Sequence, residues 1–205
     1  MKQRTIVLLL IIAGIGVSLW YTFTGGGDGS GYTAELEKER ADREQYLKTS
    51  PESPFQANPE RFHPLTWYNP DPAYRFQADL EPVKKREPVM LATSDGSTRT
   101  YLTYAWASFD LGNLRHRLLI MEVLDSGPQR GTLFLAFTDE TSGSETYGAG
   151  RYLDLRKVPG ATTILLDFNR AYNPYCAYND TFSCPLPPRE NNLKAAIRAG
   201  EKDFH

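Results

Sequence analysis

A short acidic segment contains the first group of side chains that could do chemistry. It runs from Asp139 to Glu145 and carries three carboxylates and three hydroxyls. Carboxylates in a loop can ligate calcium, or can act as the general acid and base of a glycosidase. The spacing does not match an EF-hand, and a solvated hairpin loop is the ordinary alternative.

A second polar segment, residues 169–179, combines amide, guanidinium and phenol groups. These groups are typical of a site that binds a polar, carboxylated or sugar-like molecule. A loop whose Asn and Tyr side chains satisfy its own irregular backbone is the alternative. Both readings stay open from the sequence.

Two charged residues are expected to point inward. Arg151 shares a strand face with two leucines, and Asp167 follows an apolar run. A buried charge without a partner costs several kcal/mol, so we expect a mutual ion pair or a shared polar network. The alternative is a binding arginine aimed into a cleft. The candidate ligand-binding residues are those expected to converge there: Glu145, Tyr147, Arg151, Asp167, Asn169, Tyr172 and Asn173.

The two cysteines, Cys176 and Cys184, lie in a loop rich in Pro, Asn and Tyr. In an exported domain such a pair predicts a disulfide, with free thiols or a metal site as alternatives. The spacing is too long for a C-x-x-C motif, and three histidines are too few for a zinc set of usual spacing, so we predict no metal. The glycines before Arg151 lack the ending of a phosphate loop, and we predict no cofactor. No catalytic triad can be assigned.

Three runs in the C-terminal half carry a family resemblance: residues 137–148, 167–174 and 192–202. They resemble DUF1684, a bacterial family whose activity is not established. The resemblance extends over roughly residues 35–203. Because such a family has no verified catalytic residues, it implies no mechanism.

The elements that must position these groups are mainly strands. Alternating apolar and polar residues, with Gly or Pro at the breaks, predict seven strands and an antiparallel β-sandwich or barrel-like domain. The predicted strands cover residues 74–80, 89–93, 98–109, 114–123, 132–138, 151–155 and 162–169. One flanking helix is expected at each end: residues 33–48, and a segment after Pro188 that ends at Gly200. The prolines between 49 and 72 exclude regular structure there.

The N-terminus predicts membrane attachment. Ile6 to Phe23 carries no charge and is long enough, at about 1.5 Å per residue, to cross a bilayer once. Lys2 and Arg4 precede it, which places the N-terminus inside and the domain outside a bacterial membrane. A cleaved signal peptide is the alternative, and it also exports the domain. The predicted organisation is an anchor at 1–23, a flexible linker at 24–32 and an extracytoplasmic domain at 33–205.

Composition narrows the function classes. The chain has 23 basic and 25 acidic residues, a net charge of −2 and no dense basic run, which excludes a nucleic-acid-binding role.

Three hypotheses about function remain. The domain binds a small polar ligand or envelope component between residues 139–151 and 169–184; it is a hydrolase using Asp139, Glu140, Glu145 or Asp167 with Arg151 and a Tyr; or it is a structural envelope or interaction protein. The sequence identifies no protein partner.

Overall fold

The computed structural model describes residues 29–125 and 127–205. The predicted anchor at 6–23 lies outside them, and no helix among the described residues is long and apolar enough to span a membrane. The chain divides into two units, Met1–Ala41 and Asp42–His205. In the first unit the described part is helical, and every strand among the described residues lies in the second.

One α-helix is present in the described chain: α1, Gly29–Thr49. It begins before Thr33, so the last residues of the predicted linker are helical, contrary to our expectation. Once a helix is nucleated, each added residue gains one backbone hydrogen bond, and this favours extension into the spacer.

All seven predicted strands are observed. They are β1 Arg75–Pro82, β2 Pro88–Ala92, β3 Thr98–Leu111, β4 Leu114–Val123, β5 Leu133–Phe137, β6 Arg151–Leu155 and β7 Thr163–Asp167. The turn between β2 and β3 contains Gly96 at φ +83°, which fits the Asp-Gly hairpin signal.

The strands form one antiparallel sheet in the order β6-β5-β4-β3-β1-β7, and β2 pairs with β3. The sheet curls into a half-barrel, and its edge strands β6 and β7 approach each other. A sandwich of two sheets is therefore wrong, and the barrel-like alternative is the closer one. A single sheet can bury an inner face by curling, because strand twist accumulates across it.

The inner face holds the main core. This core consists of aliphatic and aromatic side chains, of which Ile120, Leu135, Phe137 and Phe168 are fully buried. A smaller cluster covers the outer face around Met121 and Phe134. A third cluster joins Leu47 of α1 to the segment before β1 and to Phe204.

The half-barrel has two different ends. At one end β5, β6 and β7 meet at Phe137, Arg151 and Asp167; at the other they meet at Leu133, Leu155 and Thr163. The C-terminal segment, residues 191–201, inserts Leu193, Ile197 and Ala199 into the core at the first end. We call this the closed end and the opposite one the open end.

The predicted C-terminal helix does not form. After Pro188 there is only a 3₁₀ turn, Arg189–Asn191, and the chain then runs irregularly. Leu193 donates its amide to Thr138, and Ala195 accepts from the amide of Glu140. These backbone groups bond to the loop after β5 instead of to each other, so the spacing of Leu193 and Ile197 reflects insertion into the core.

Candidate functional site

Arg151 lies at the centre of the closed end and is completely buried. Its Nη2 donates to Asp139 Oδ2 at 2.9 Å and to the Ile197 carbonyl at 2.9 Å. Its Nη1 donates to the carbonyls of Glu201, at 3.2 Å, and Ala199. One guanidinium therefore ties strand β6 to the acidic loop and to the C-terminal segment.

Arg151 and Asp167 do not form the mutual ion pair that was one of the two expected arrangements. The partner of Arg151 is Asp139, whose Oδ1 also accepts from the Thr141 amide at 2.7 Å. Both charges are withdrawn from water, and each is matched by several hydrogen bonds, which such burial requires. Arg151 has no exposed surface with which to hold a ligand.

Asp167 belongs to a separate network at the end of β7. It accepts hydrogen bonds from Arg75 Nε at 3.1 Å and Arg170 Nη1 at 2.7 Å, and it caps the next turn through the Asn169 amide at 3.2 Å. Asn169 in turn brackets the backbone of Asp71 with two bonds of 2.8 Å. These contacts hold the incoming chain against β7.

A third buried network is centred on Glu201, which the sequence analysis missed. Asn173 donates to it from its backbone and side chain at 3.0 Å, and the Tyr178 hydroxyl donates at 2.5 Å. Arg43 of α1 lies 3.6 Å from the carboxylate. Burial raises the pKa of Glu201, and the positive charge of Arg43 and these hydrogen bonds oppose that shift. A Glu within a Gly-Glu-Lys tail gives no sequence signal of such burial.

The remaining predicted residues are nearer the surface. Glu145 pairs with Arg198 through bonds of 2.8 to 3.1 Å and accepts from Tyr68 at 2.9 Å. Tyr172 donates to Asp154 at 2.9 Å, and the Arg43 guanidinium lies 4.3 Å from its ring centre.

Strand β6, which follows the acidic segment, does lie beside the polar segment 169–179. The backbones of Tyr152 and Tyr172 exchange hydrogen bonds of 2.8 and 3.0 Å. The predicted residues are nevertheless divided between separate internal networks, so they do not line one cleft.

The expected disulfide is not formed in the structure, where Cys176 and Cys184 are free thiols. The Cys176 amide donates to the sulfur of Cys184 at 3.2 Å, and the Tyr147 hydroxyl lies 3.6 Å from the sulfur of Cys176. Among the residues that the structure describes, no group of three or more His, Cys, Asp or Glu could hold a metal ion.

A pocket of about 270 Å³ occupies the open end, where the edges of the half-barrel come together. We call it the seam pocket. Its walls come from β1, β3, β5, β7 and the loop between β6 and β7, and its lining includes Leu80, Tyr104, Leu133, Arg156, Val158 and Leu165. The volume lies just below the range of about 300 to 1,000 Å³ that is usual for small-molecule sites.

The lining of the seam pocket is mostly apolar and includes one basic side chain, Arg156. Val158 and Leu165 are 52% and 42% exposed, so large apolar side chains are left in water at its rim. The Arg156 guanidinium is exposed and forms no hydrogen bond or ion pair with any described residue. An apolar wall beside an unpaired cation suits a molecule with an apolar body and an anionic group.

More positive charge surrounds Tyr104. Arg86 and Lys157 lie 5.3 and 5.2 Å from its ring centre, and both bond to Glu122, at 2.9 and 2.8 Å. Partial burial by itself raises the pKa of Glu122, but the two cations lower it overall. Glu122 is thus one carboxylate between two cations, and Arg156 adds further positive charge to this end.

The family model for DUF1684, described as a protein of unknown function, matches residues 60–202. The chain belongs to this family. Among solved structures it is similar to the uncharacterized protein from gene locus rrnAC0354 of Haloarcula marismortui, determined by solution NMR. That protein is 38% identical, with a TM-score of 0.65, and the match covers 85% of this chain and 96% of that one. No curated protein matches the chain at a significant level.

The seam pocket falls mostly outside the runs that carried the family resemblance in the sequence. Arg156, Lys157 and Val158 follow β6 in a turn that ends in Pro-Gly. An aliphatic residue inside a basic turn is the one available signal, and it is weak because single exposed apolar residues are common.

Proposed function

We propose that this DUF1684 domain binds a small molecule with an apolar body and one anionic group in the seam pocket. The observation that carries the proposal lies at the open end: Val158 and Leu165 are exposed, and the Arg156 guanidinium in the same lining has no partner among the described residues. The apolar body would cover the aliphatic wall, and the anionic group would accept from Arg156 through its planar fork.

The polar cleft that we expected from residues 139–151 and 169–184 is a weaker candidate. Arg151, Asn169 and Asn173 are fully buried, and their terminal nitrogens donate to internal acceptors. A ligand there would have to displace bonds that hold the closed end together. The binding hypothesis is therefore kept, and its site is moved to the open end.

The hydrolase hypothesis has less support. Asp139, Glu145 and Asp167 each bond to a different arginine in a different network. A glycosidase needs two carboxylates facing one substrate, about 5 to 9.5 Å apart. A structural role is the second candidate, and the density of internal ion pairs at the closed end favours it.

We also propose that the domain acts outside the cell membrane, tethered by Ile6–Phe23. The support is the uncharged run with Lys2 and Arg4 before it. Protease added to intact spheroplasts should degrade the domain. Full protection until the membrane is permeabilised would place the domain on the other side.

The binding proposal is tested with 4-phenylbutyrate and its neutral analogue 4-phenylbutan-1-ol. The full chain, held in lipid nanodiscs and labelled with ¹⁵N, is titrated with each compound. Phenylbutyrate should shift the amide signals of Val158, Ala161 and Leu165. The alcohol should bind at least about fivefold more weakly, because a charged hydrogen bond contributes about 1.5 to 3 kcal/mol when buried and less at a solvent-exposed rim.

Two variants distinguish binding in the seam pocket from nonspecific attraction of the anion to positive charge. Arg156→Gln should reduce phenylbutyrate affinity to that of the alcohol, whereas Arg61→Gln, which removes an exposed arginine elsewhere, should leave it unchanged. Equal losses in both variants would indicate nonspecific attraction. Shifts confined to residues 139–151 or 169–184 would return the site to the closed end, and no shifts with either compound would favour the structural role.

A further inference from the structure

We propose that Cys176 and Cys184 form a reversible dithiol–disulfide site, in which Cys176 attacks the disulfide of another molecule and Cys184 completes the exchange. These are the two cysteines of the chain. The site is separate from the seam pocket, so neither proposal depends on the other.

The two cysteines are neighbours in the fold. The Cys176 amide donates to the Cys184 sulfur at 3.2 Å, and interaction between the two side chains is the first cause of the pKa shift at each. Cys184 is fixed to the turn between β2 and β3: its carbonyl accepts from the Ser94 amide at 2.9 Å, and its amide donates to the Ser94 hydroxyl at 3.1 Å. The turn therefore holds one sulfur while the short segment Tyr175–Ala177 presents the other.

The two cysteines differ in access and in acidity. Cys176 is partly exposed, whereas Cys184 is 7% exposed. The hydrogen bond from Cys184 lowers the pKa of Cys176 to about 6, with a further contribution from the Tyr147 hydroxyl. The same contact, together with burial, raises the pKa of Cys184. Because the thiolate is the nucleophile, Cys176 is the attacking residue and Cys184 the resolving one.

The exchange is balanced for a small-molecule disulfide, written R–S–S–R. The Cys176 thiolate attacks one sulfur, which forms a mixed disulfide and releases one thiolate of R. Cys184 then gives its proton to solvent and attacks the Cys176 sulfur. The Cys176–Cys184 disulfide forms and the second thiolate of R leaves. Two electrons pass from the cysteine pair to the small molecule, and a dithiol reductant reverses the process.

The chemistry is tested with glutathione disulfide on the reduced full chain in nanodiscs. The wild type should form the Cys176–Cys184 disulfide and release two glutathione thiols per chain. Cys184→Ser should stop at a stable mixed disulfide on Cys176, and Cys176→Ser should react at least about tenfold more slowly than the wild type. A glutathione adduct that forms faster on Cys184, or two thiols that stay reduced, would overturn the proposal.

A pH titration tests the asymmetry by a different route. Alkylation by iodoacetamide, followed at each cysteine by mass spectrometry of peptides, should reach half its maximal rate at Cys176 near pH 6, in line with its lowered pKa. Tyr147→Phe should move that midpoint upward, while Tyr104→Phe, in the seam pocket, should not. A wild-type midpoint at the ordinary thiol value of about 8.5 would contradict the assigned roles.

Discussion

The closed and open ends of the half-barrel use arginine in opposite ways. Arg151 at the closed end is wholly buried and donates to a carboxylate and three carbonyls. Arg156, five residues further along the chain, is exposed at the open end with no described partner. One arginine therefore stabilises the fold at the closed end, and another arginine is available to a ligand at the open end.

The family-like runs contribute most of the buried polar residues of the closed end. Asp139, Arg151, Asp167, Asn169 and Glu201 all lie in or beside them, and all are buried in internal networks. The many polar residues in these runs suggested a binding site. In the structure they instead bond to the irregular C-terminal segment and to the loops beside it. Side-chain bonds from Arg151 and Asn173 replace the backbone ladder that this segment lacks.

The largest effect should come from breaking the closed end at Arg151. Arg151→Met leaves Asp139 charged and buried, and it leaves the carbonyls of Ile197, Ala199 and Glu201 without their donor. Removing one partner of a buried pair costs about 3 to 5 kcal/mol. Urea unfolding followed by circular dichroism should show this loss in the free energy of unfolding. A loss below about 1 kcal/mol would mean that the C-terminal segment is held mainly by apolar packing.

Two glycines provide a matched steric test of the two ends. Gly200 and Gly160 have φ of +81° and +74°, so alanine is strained at both by about 1 to 2 kcal/mol. At Gly200 a Cβ would lie 2.6 Å from the Ala171 carbonyl oxygen and 2.7 Å from that of Phe168, whereas at Gly160 nothing lies within 4 Å. Gly200→Ala should therefore cost about 1 to 3 kcal/mol more than Gly160→Ala, the usual cost of overpacking. Equal melting temperatures would show that the closed end can move apart.

Asp167→Asn should have a smaller effect, because its partners can return to water. Arg75 and Arg170 have side chains 34% and 28% exposed, in contrast to Arg151. We expect a loss of about 1.5 to 2 kcal/mol in the free energy of unfolding, at the lower end of the range for hydrogen bonds to charged groups. The loss caused by Asp167→Asn should be smaller in 0.5 M salt, because salt screening weakens partly exposed ion pairs in the wild type. A loss equal to that of Arg151→Met would show that exposure does not distinguish these networks.

The sequence predicted the strands well because alternation and Gly or Pro breaks are local properties. It did not predict how the sheet closes, because curling depends on strand twist and packing across the whole sheet. The helix expected after Pro188 was wrong because Leu193 and Ile197 are spaced for insertion into a core formed by distant residues.

The sites were harder to predict than the strands. The partners of Arg151 include three backbone carbonyls. Every residue has such a group, so the residue types in the sequence do not indicate which carbonyls will accept. The seam pocket is formed by β1, β3, β5 and β7 together, so its residues become neighbours only in the folded chain. Strand β6 and the segment 169–179 meet through Tyr152 and Tyr172, but the sequence does not indicate which of their side chains remain available to a ligand.

The smallest expected effect on stability is at Arg156, at the open end. Arg156→Gln removes a guanidinium that has no described partner and is exposed to water, so the free energy of unfolding should change by less than about 0.5 kcal/mol. Removing one cation from the group of Arg86, Lys157 and Arg156 also relieves like-charge repulsion, so a slight gain at low salt is the expected sign. The measurement is the same urea titration that is used for Arg151→Met, at low and high salt, with Arg61→Gln as the control. A loss above about 1 kcal/mol would mean that Arg156 supports the fold, and the open end would then resemble the closed one.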